Sequence, residues 1–373
     1  MQGALDVRRD AALEELVERV RQAQSEGRAL GIQGGGTKAF LSAPGLAQEE
    51  RLSTAQLRGI SSYEPSELVI TARAGTPLAE VEAALAEQGQ CLAFEPPRFG
   101  DGGTVGGMVA AGLAGPSRAT VGAVRDFMLG ATLLNGRAEV LSFGGQVMKN
   151  VAGYDVSRLL AGSQGVLGVI LEVSIKVLPR QPASATLRFE MNQAQALRSL
   201  NEWGGQPLPL SASAWWDGML VLRLSGARAA VDSAVVRLGG ERIDDDLAQG
   251  FWEGLRDQRD EFFLSALNMV RAGGTLWRAS VPQTAVPLNV PGDTLIEWGG
   301  AQRWLTTASG DAAAEQALLK AASAAGGHVQ AFRGARVGQA PALDPVLLGI
   351  HRQLKLAFDP RRVFNRGRLH PEL

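Results

Sequence analysis

Apolar residues Leu13, Leu16, Val17 and Val20 recur at the i, i+3, i+4, i+7 spacing of an amphipathic helix, so residues 11–24 are predicted helical, with Gly27 as the stop. Residues 29–32 read as a short strand, and 68–73 as another. Residues 77–88 predict a helix with Pro77 in its first turn and Gly89 closing it. Residues 105–114 are mostly Gly and Ala, with Val105, Met108, Val109 and Leu113 the only larger side chains. They predict a helix that packs closely on a neighbour or a flat ligand, ended by Gly115-Pro116. Residues 127–134 and 138–143 predict a hairpin around Asn135-Gly136, the strongest short hairpin signal. Residues 166–178 form a long run rich in β-branched residues, ending at Pro179.

Beyond that proline the pattern changes. Residues 186–190, 212–216, 219–224, 276–281, 295–298, 303–307 and 329–332 read as strands. Residues 193–203, 227–238 and 312–325 read as helices. This mixture predicts a separate α+β unit, a sheet covered by helices on one face. The expected organisation is residues 1–180, then 181–340, then a segment 341–373 that returns to the first domain. No internal repeat is visible in the sequence.

Composition narrows the function more than the fold. At 373 residues, 45% hydrophobic and 20% charged, the chain can bury a full core. A formal net charge of −1 argues against general nucleic-acid binding. Cys91 is the only cysteine, so no internal disulfide forms and no cysteine-held iron–sulfur cluster fits within the chain. No apolar run reaches membrane-spanning length, and the acidic N-terminal stretch lacks the apolar core of a signal peptide, so a cytoplasmic protein is expected.

Three glycine-rich segments stand in order along the first half. They are Gln33-Gly34-Gly35-Gly36-Thr37-Lys38, Gly102-Gly103-Thr104-Val105-Gly106-Gly107, and Gly162-Ser163-Gln164-Gly165-Val166-Leu167-Gly168-Val169. Glycine lets a backbone approach a ligand closely, and three such segments point to a large ligand such as a dinucleotide. The first follows a strand, where successive N–H groups make an anion-binding concavity. It matches neither the Walker loop nor the Rossmann fingerprint, since Pro44 and Gly45 interrupt any following helix. Each segment alone also fits a structural reading: a glycine-rich turn for the first, a close helix–sheet contact for the second, and a helix–turn–strand for the third. Asp155 and Arg158, three apart, fit a surface ion pair as well as a functional role.

Together the segments resemble the vanillyl-alcohol oxidase family of flavoproteins, over roughly residues 8–180. The resemblance implies an α+β fold with a PCMH-type FAD-binding domain and a smaller, ferredoxin-like α+β second domain. It implies FAD as cofactor, with the first loop, Gly34, Gly35, Gly36, Thr37 and Lys38, at the pyrophosphate. Pro96, Gly103, Thr104, Val105, Gly106, Gly107, Ala110 and Ala111 are implied beside the flavin, with Gly122 in the loop that follows. Lys149-Asn150-Val151-Ala152-Gly153-Tyr154-Asp155 and the third glycine segment match the family's pattern, which adds Asn150, Gly165, Gly168 and Val169. Phe358-Asp359-Pro360, running to Val363-Phe364-Asn365-Arg366-Gly367, resembles the family's ending and adds Asn365, with Arg366 where the family has proline.

Residues 149–155 together with 296–304 also resemble the FAD-binding subunits of bacterial glycolate oxidases. That implies a complex with a second flavin subunit and an iron–sulfur subunit, and a peripheral place at the inner membrane through that complex. The only histidines are His328, His351 and His370, without metal-ligand spacing, so no metal site is expected. No histidine lies near the glycine loops for covalent flavin attachment, so noncovalent FAD is expected, and Cys91 is expected to be buried. The usual proton acceptor of 2-hydroxyacid oxidation is missing; Tyr154, Glu95 and Asp101 are the substitutes in view, and the catalytic residues stay unknown. Trp298 and Trp304 read as core aromatics, with a partner surface as the alternative. Three readings follow: an FAD subunit that passes electrons onward, a self-sufficient 2-hydroxyacid dehydrogenase, or a structural subunit with the same fold. The intact glycines favour the first two, and the missing histidines favour the first.

Overall fold

A computed structural model describes residues 10–42, 49–145, 155–338 and 343–373. Asp10 caps α1 (Ala11–Glu26) by accepting from the Ala12 and Leu13 amides, and Gly27 ends it at φ 69°. The predicted stripe, Leu13, Leu16, Val17 and Val20, is buried. β1 (Leu30–Gln33) pairs in parallel with β2 (Glu50–Ser53). There follow β3 (Ile60–Glu64), β4 (Val69–Arg73), α2 (Leu78–Glu87), β5 (Gln90–Cys91) and α3 (Val105–Ala111). After the short helices α4 (Arg118–Val121) and α5 (Val124–Phe127) come β6 (Met128–Leu134), β7 (Val140–Gly144), α6 (Val156–Leu159), β8 (Val169–Lys176) and β9 (Leu178–Pro179). Five of these strands form an antiparallel sheet in the order β3-β4-β8-β6-β7.

Two local expectations are corrected here. The helix α3 ends at Gly112, not at Gly115-Pro116, because Gly112 turns left-handed at φ 62° and packs on the backbone of Gly162. The β6–β7 hairpin forms, but not with a two-residue Asn-Gly turn. The Asn135 carboxamide oxygen accepts from the amides of Arg137 and Glu139, and the positive φ falls on Ala138. Position 136 is glycine because Asp359 packs against its α-carbon.

The second half holds β10 (Ala183–Glu190), α7 (Gln193–Gly204), β11 (Leu210–Trp216), β12 (Met219–Gly226), α8 (Arg228–Leu238) and β13 (Glu241–Ile243). Then come α9 (Asp245–Asp257), α10 (Glu261–Arg271), β14 (Thr275–Ser280), β15 (Thr294–Glu297), β16 (Gln302–Thr307), α11 (Ala312–Ala324) and β17 (His328–Gly334). These eight strands make one sheet in the order β13-β10-β12-β11-β15-β16-β14-β17. The elements β10 to β13, with α7 and α8, trace the βαββαβ path of a ferredoxin-like unit. β14 to β17 repeat that strand order, with the irregular residues 281–293 where the first helix would stand. The two units join edge to edge through antiparallel β11 and β15. This repeat of topology left no repeat in the sequence, because one helix is missing from the second unit and each strand is tuned to its own neighbours.

Helices cover both faces of this sheet, not one. On β12, Leu220, Leu222 and Leu224 face the cluster built with α7 and α8, while Val221 faces the cluster of α9 and α10. Sequence reading passed over α9 and α10, whose apolar residues Trp252, Leu255, Phe262 and Phe263 fill the face toward the first half. Trp304 belongs to that face. It is 4% exposed, packs edge-on against Phe263 and Phe332, and donates from Nε1 to Glu297 Oε2 at 2.6 Å. Trp304→Ala is therefore expected to destabilise the fold by about 3–5 kcal/mol. A melting curve checks this, and an unchanged midpoint would return Trp304 to the surface reading.

The last helix, α12 (Pro345–Phe358), lays Leu354 and Phe358 on the core of the five-stranded sheet, and Val363 and Phe364 pack beside α1. Across the seam between the two sheets, Trp298 Nε1 donates to the Gly115 carbonyl at 3.0 Å, Asp257 accepts from the Arg98 amide at 3.0 Å, and Arg223 pairs with Glu95 at 2.8 Å.

Candidate functional site

The three glycine segments converge. The first follows β1, the second leads into α3, and the third leads into β8, so strand and helix ends bring the loops side by side. They line an open cleft, the concave kind of surface on which cofactors bind. Gly34, Gly35, Gly36, Thr37 and Lys38 form one wall. Thr104, Gly106, Gly107, Ala110 and Ala111 form a second, and Gly165, Gly168 and Asn365 a third.

Several glycines are required by chain packing before any ligand arrives. A β-carbon on Gly35 would stand at covalent-bond distance from the Gly102 carbonyl oxygen, so the first two loops touch backbone to backbone. A β-carbon on Gly106 would fall 2.7 Å from that of Ala74, in the turn just past β4. Thr104 caps α3, its hydroxyl accepting from the Gly107 amide at 3.2 Å. Asn365, 1% exposed and at φ 42°, staples two walls together: Oδ1 accepts from the Ile32 amide at 2.8 Å, and Nδ2 donates to the Gln164 carbonyl at 2.6 Å.

Other residues named from the sequence stand elsewhere. Pro96, Gly103, Val105, Gly122 and Val169 do not line the cleft. The side chains of Val105 and Val169 are core, the Gly103 carbonyl accepts from the Leu78 amide, and Gly122 ends α4 against Asp126. Asn150 and Tyr154 lie outside the described residues. Asp155 caps α6 and pairs with Arg158 at 3.0 Å on the surface. Glu95 is engaged by Arg223 and by the Ser117 amide, and Asp101 is exposed. Cys91, half-buried and not fully buried as expected, sits in the β5–β9 pair, where partial burial pushes its thiol up.

Gln164 and Arg368 were missed, and they carry a signal of their own. Both line the cleft, and Gln164 Oε1 and Arg368 Nε are buried with no hydrogen-bond partner in the protein. Buried polar atoms are seldom left so. A polar acceptor and a cation facing a glycine-walled cleft suit a ligand that carries both hydrogen-bonding groups and negative charge, so these residues fit a dinucleotide. Lys38 adds a second cation, its ammonium 5.7 Å from the Phe99 ring centroid. The three histidines, far apart in sequence, line one neighbouring cavity that shares Leu41, Gln164 and Arg368 with the cleft. Among the described residues no group of histidine, cysteine or carboxylate side chains could hold a metal ion, and no helix is long and apolar enough to cross a membrane.

Comparison with known proteins agrees with this geometry. The FAD binding domain family matches residues 9–144. Alkyldihydroxyacetonephosphate synthase superposes with a TM-score of 0.67 at 15% identity, over 94% of this chain and 74% of that one, which shows the fold alone. D-2-hydroxyglutarate dehydrogenase of Xanthomonas citri is 30% identical over 175 residues, 46% of this chain and 36% of that protein. Glycolate oxidase subunit GlcE of Escherichia coli is 47% identical over 358 residues, 96% of this chain and 97% of that protein. Similar over nearly their whole length, the two proteins share one fold and one cofactor domain, and the chain belongs to the family of glycolate oxidase subunit GlcE, FAD-dependent oxidoreductases of the vanillyl-alcohol oxidase fold.

Proposed function

We propose that the chain is the FAD-holding subunit of a glycolate oxidase complex, passing electrons from glycolate oxidation to a second flavin subunit and an iron–sulfur subunit. The observation that carries this reading is the single cleft walled by all three glycine segments, in a chain aligned end to end with a glycolate oxidase subunit. Bound FAD supplies the redox chemistry; the protein supplies position and electrostatics. We assign residues 1–180 and the returning segment 341–373 to holding FAD noncovalently, and residues 181–340 to the second domain. The first loop and Lys38 take the pyrophosphate, and Arg368 and Gln164 give their unpartnered atoms to the cofactor. The reading places the subunit in the cytoplasm, meeting the inner membrane only through its complex.

The test is a visible spectrum of the purified chain before and after anaerobic glycolate. Bound flavin that stays oxidised is the expected result. Flavin that bleaches would make the chain a dehydrogenase in its own right.

Lys38 adds a pH signature. Burial pulls its ammonium down to about 8, with the Asp257 carboxylate opposing. A pyrophosphate beside it favours the charged form and raises that value, so binding takes up a proton above pH 8. FAD affinity is then full below that pH and falls as pH rises through it, by up to about tenfold per unit. Fluorescence titration of the apoprotein measures this. A flat wild-type profile, or the same slope in Lys38→Met, removes Lys38 from the phosphate.

A further inference from the structure

Helix α9 carries glycine at 250 and 254, well inside the helix, where glycine is less stable than alanine. The chain's own packing requires neither. A β-carbon on Gly250 would meet nothing within 4 Å, and one on Gly254 only ordinary contacts at 3.7 Å and beyond. Gly35 and Gly136 are fixed by collisions; beside these two the space is open.

Four apart, the two glycines leave a bare strip on one face of α9. That strip is one wall of a groove of about 540 Å3. The β11–β12 hairpin stands across from it, turning at Asp217-Gly218 with φ 46° and 77° and presenting Trp216 and Met219. The start of α10 closes the third side with Phe262 and Leu264, and Phe262 meets Trp216 edge-on at 6.2 Å. Trp216, Met219 and Phe251 are half-buried, and Leu264 is 52% exposed. Leu247, one turn before Phe251 on α9, is 70% exposed. Exposed apolar side chains around a concavity with a charged rim characterise protein–protein contacts.

The rim is acidic. Asp217, Asp260 and Glu261 line it. Asp260 caps α10, accepting from the Phe263 amide at 3.0 Å. Burial pushes its carboxyl up to about 6, and Glu261 beside it adds to the rise. Arg259 is the one basic residue among those lining the groove, and it pairs with Asp257 at 3.3 Å.

A helix wall without side chains, an apolar pocket and an acidic rim describe their occupant by complement. It is a helix that comes close to the α9 backbone, sets apolar side chains between Trp216 and Leu264, and carries Lys or Arg along its edge. We propose that the groove between α9, α10 and the β11–β12 turn docks a basic amphipathic helix of another subunit of the complex. That the helix belongs to a subunit of the complex rests on the glycolate oxidase reading. Its chemistry does not.

The experiment co-expresses the second flavin subunit and the iron–sulfur subunit with two differently tagged copies of this chain, wild type and variant, which compete for them. Gly250→Leu fills the groove from a position where the fold has room, and leucine is the better helix former. Its melting midpoint should hold or rise while its share of the partner subunits falls at least tenfold. A glycine with a merely structural role would not separate the two readings. Leu264→Lys and Leu264→Glu lose the same apolar contact and differ in sign, so the lysine variant should retain at least threefold less partner than the glutamate variant. Where Gly250→Leu melts early, the Leu264 pair decides. Gly250→Leu folded and within twofold of wild type, or Leu264→Lys no weaker than Leu264→Glu, overturns the proposal. So does a lone chain that dimerises through this face, with a dimer that Gly250→Leu dissolves, since the groove then belongs to a second copy. A wild type that retains no partner subunit brings down the function reading, and the proposal with it. A wild type that assembles no better than Gly250→Leu counts against the groove alone.

Discussion

Gly35→Ala is expected to empty the protein of FAD. One methyl group is added, and no charge. The new β-carbon would collide with the Gly102 carbonyl oxygen, which is backbone and cannot swing aside. The first two glycine loops must then part, and with them the walls carrying Lys38 and Thr104. Overpacking typically costs 1–3 kcal/mol, occasionally more, and a cost at or above the top of that range corresponds to about a hundredfold or more in affinity. The readout is the flavin-to-protein absorbance ratio after gel filtration. Gly103→Ala is the control, since a β-carbon there would meet the Arg98 carbonyl at 3.8 Å and the Thr37 hydroxyl at 3.9 Å, both ordinary contacts. It should keep the fold. If Gly35→Ala retains stoichiometric flavin, the loops do not need their contact. If Gly103→Ala folds normally yet loses flavin, the cofactor itself passes close to position 103.

The same collision explains what the sequence could and could not disclose. Glycine is a visible letter, so the order of the three segments was legible, and so was the cofactor they imply. The reason for each glycine was not. Gly35 reads in the sequence as room for a phosphate, but a side chain there would meet the Gly102 carbonyl first. Gly136 looked like half of a hairpin turn, and it answers instead to Asp359, more than two hundred residues away. Long-range return of the chain also hid Arg368 and Gln164, whose unpartnered atoms meet only after α12 and the tail fold back. On the second sheet, periodicity found the strands. It overlooked α9 and α10, which use their aromatics against both the sheet and the first half, so the expected bare face was wrong. Nothing in the sequence marks Glu297 as a buried carboxyl, yet burial pushes it up to about 7.

Lys355→Met should be the most damaging change outside the glycine segments themselves. Lys355 is 3% exposed and Asp359 0%. The ammonium donates to Asp359 Oδ2 at 2.9 Å, to the Phe364 carbonyl at 2.9 Å and to the Val166 carbonyl at 2.7 Å, using all three protons. The carboxylate in turn accepts from the amides of Val363 at 2.8 Å and Phe364 at 2.9 Å. One ion pair thus ties α12, the third glycine segment and the strand-like return that seats Asn365. Burial pulls the ammonium down, and the Asp359 carboxylate opposes that pull. Methionine removes the charge at similar volume and leaves the aspartate buried and unpaired, a loss of about 3–5 kcal/mol for a broken buried pair. Two carbonyls lose their donor as well. The expected outcome is a melting midpoint lower by roughly ten degrees, together with weakened FAD retention, because Asn365 loses its footing. Asp359→Asn in the same chain should recover part of the stability by discharging the orphan, and the double-mutant cycle measures how much of the loss was electrostatic. A single variant that melts within a degree or two of wild type would mean that packing by Leu354, Phe358 and Phe364 holds the returning segment without the pair.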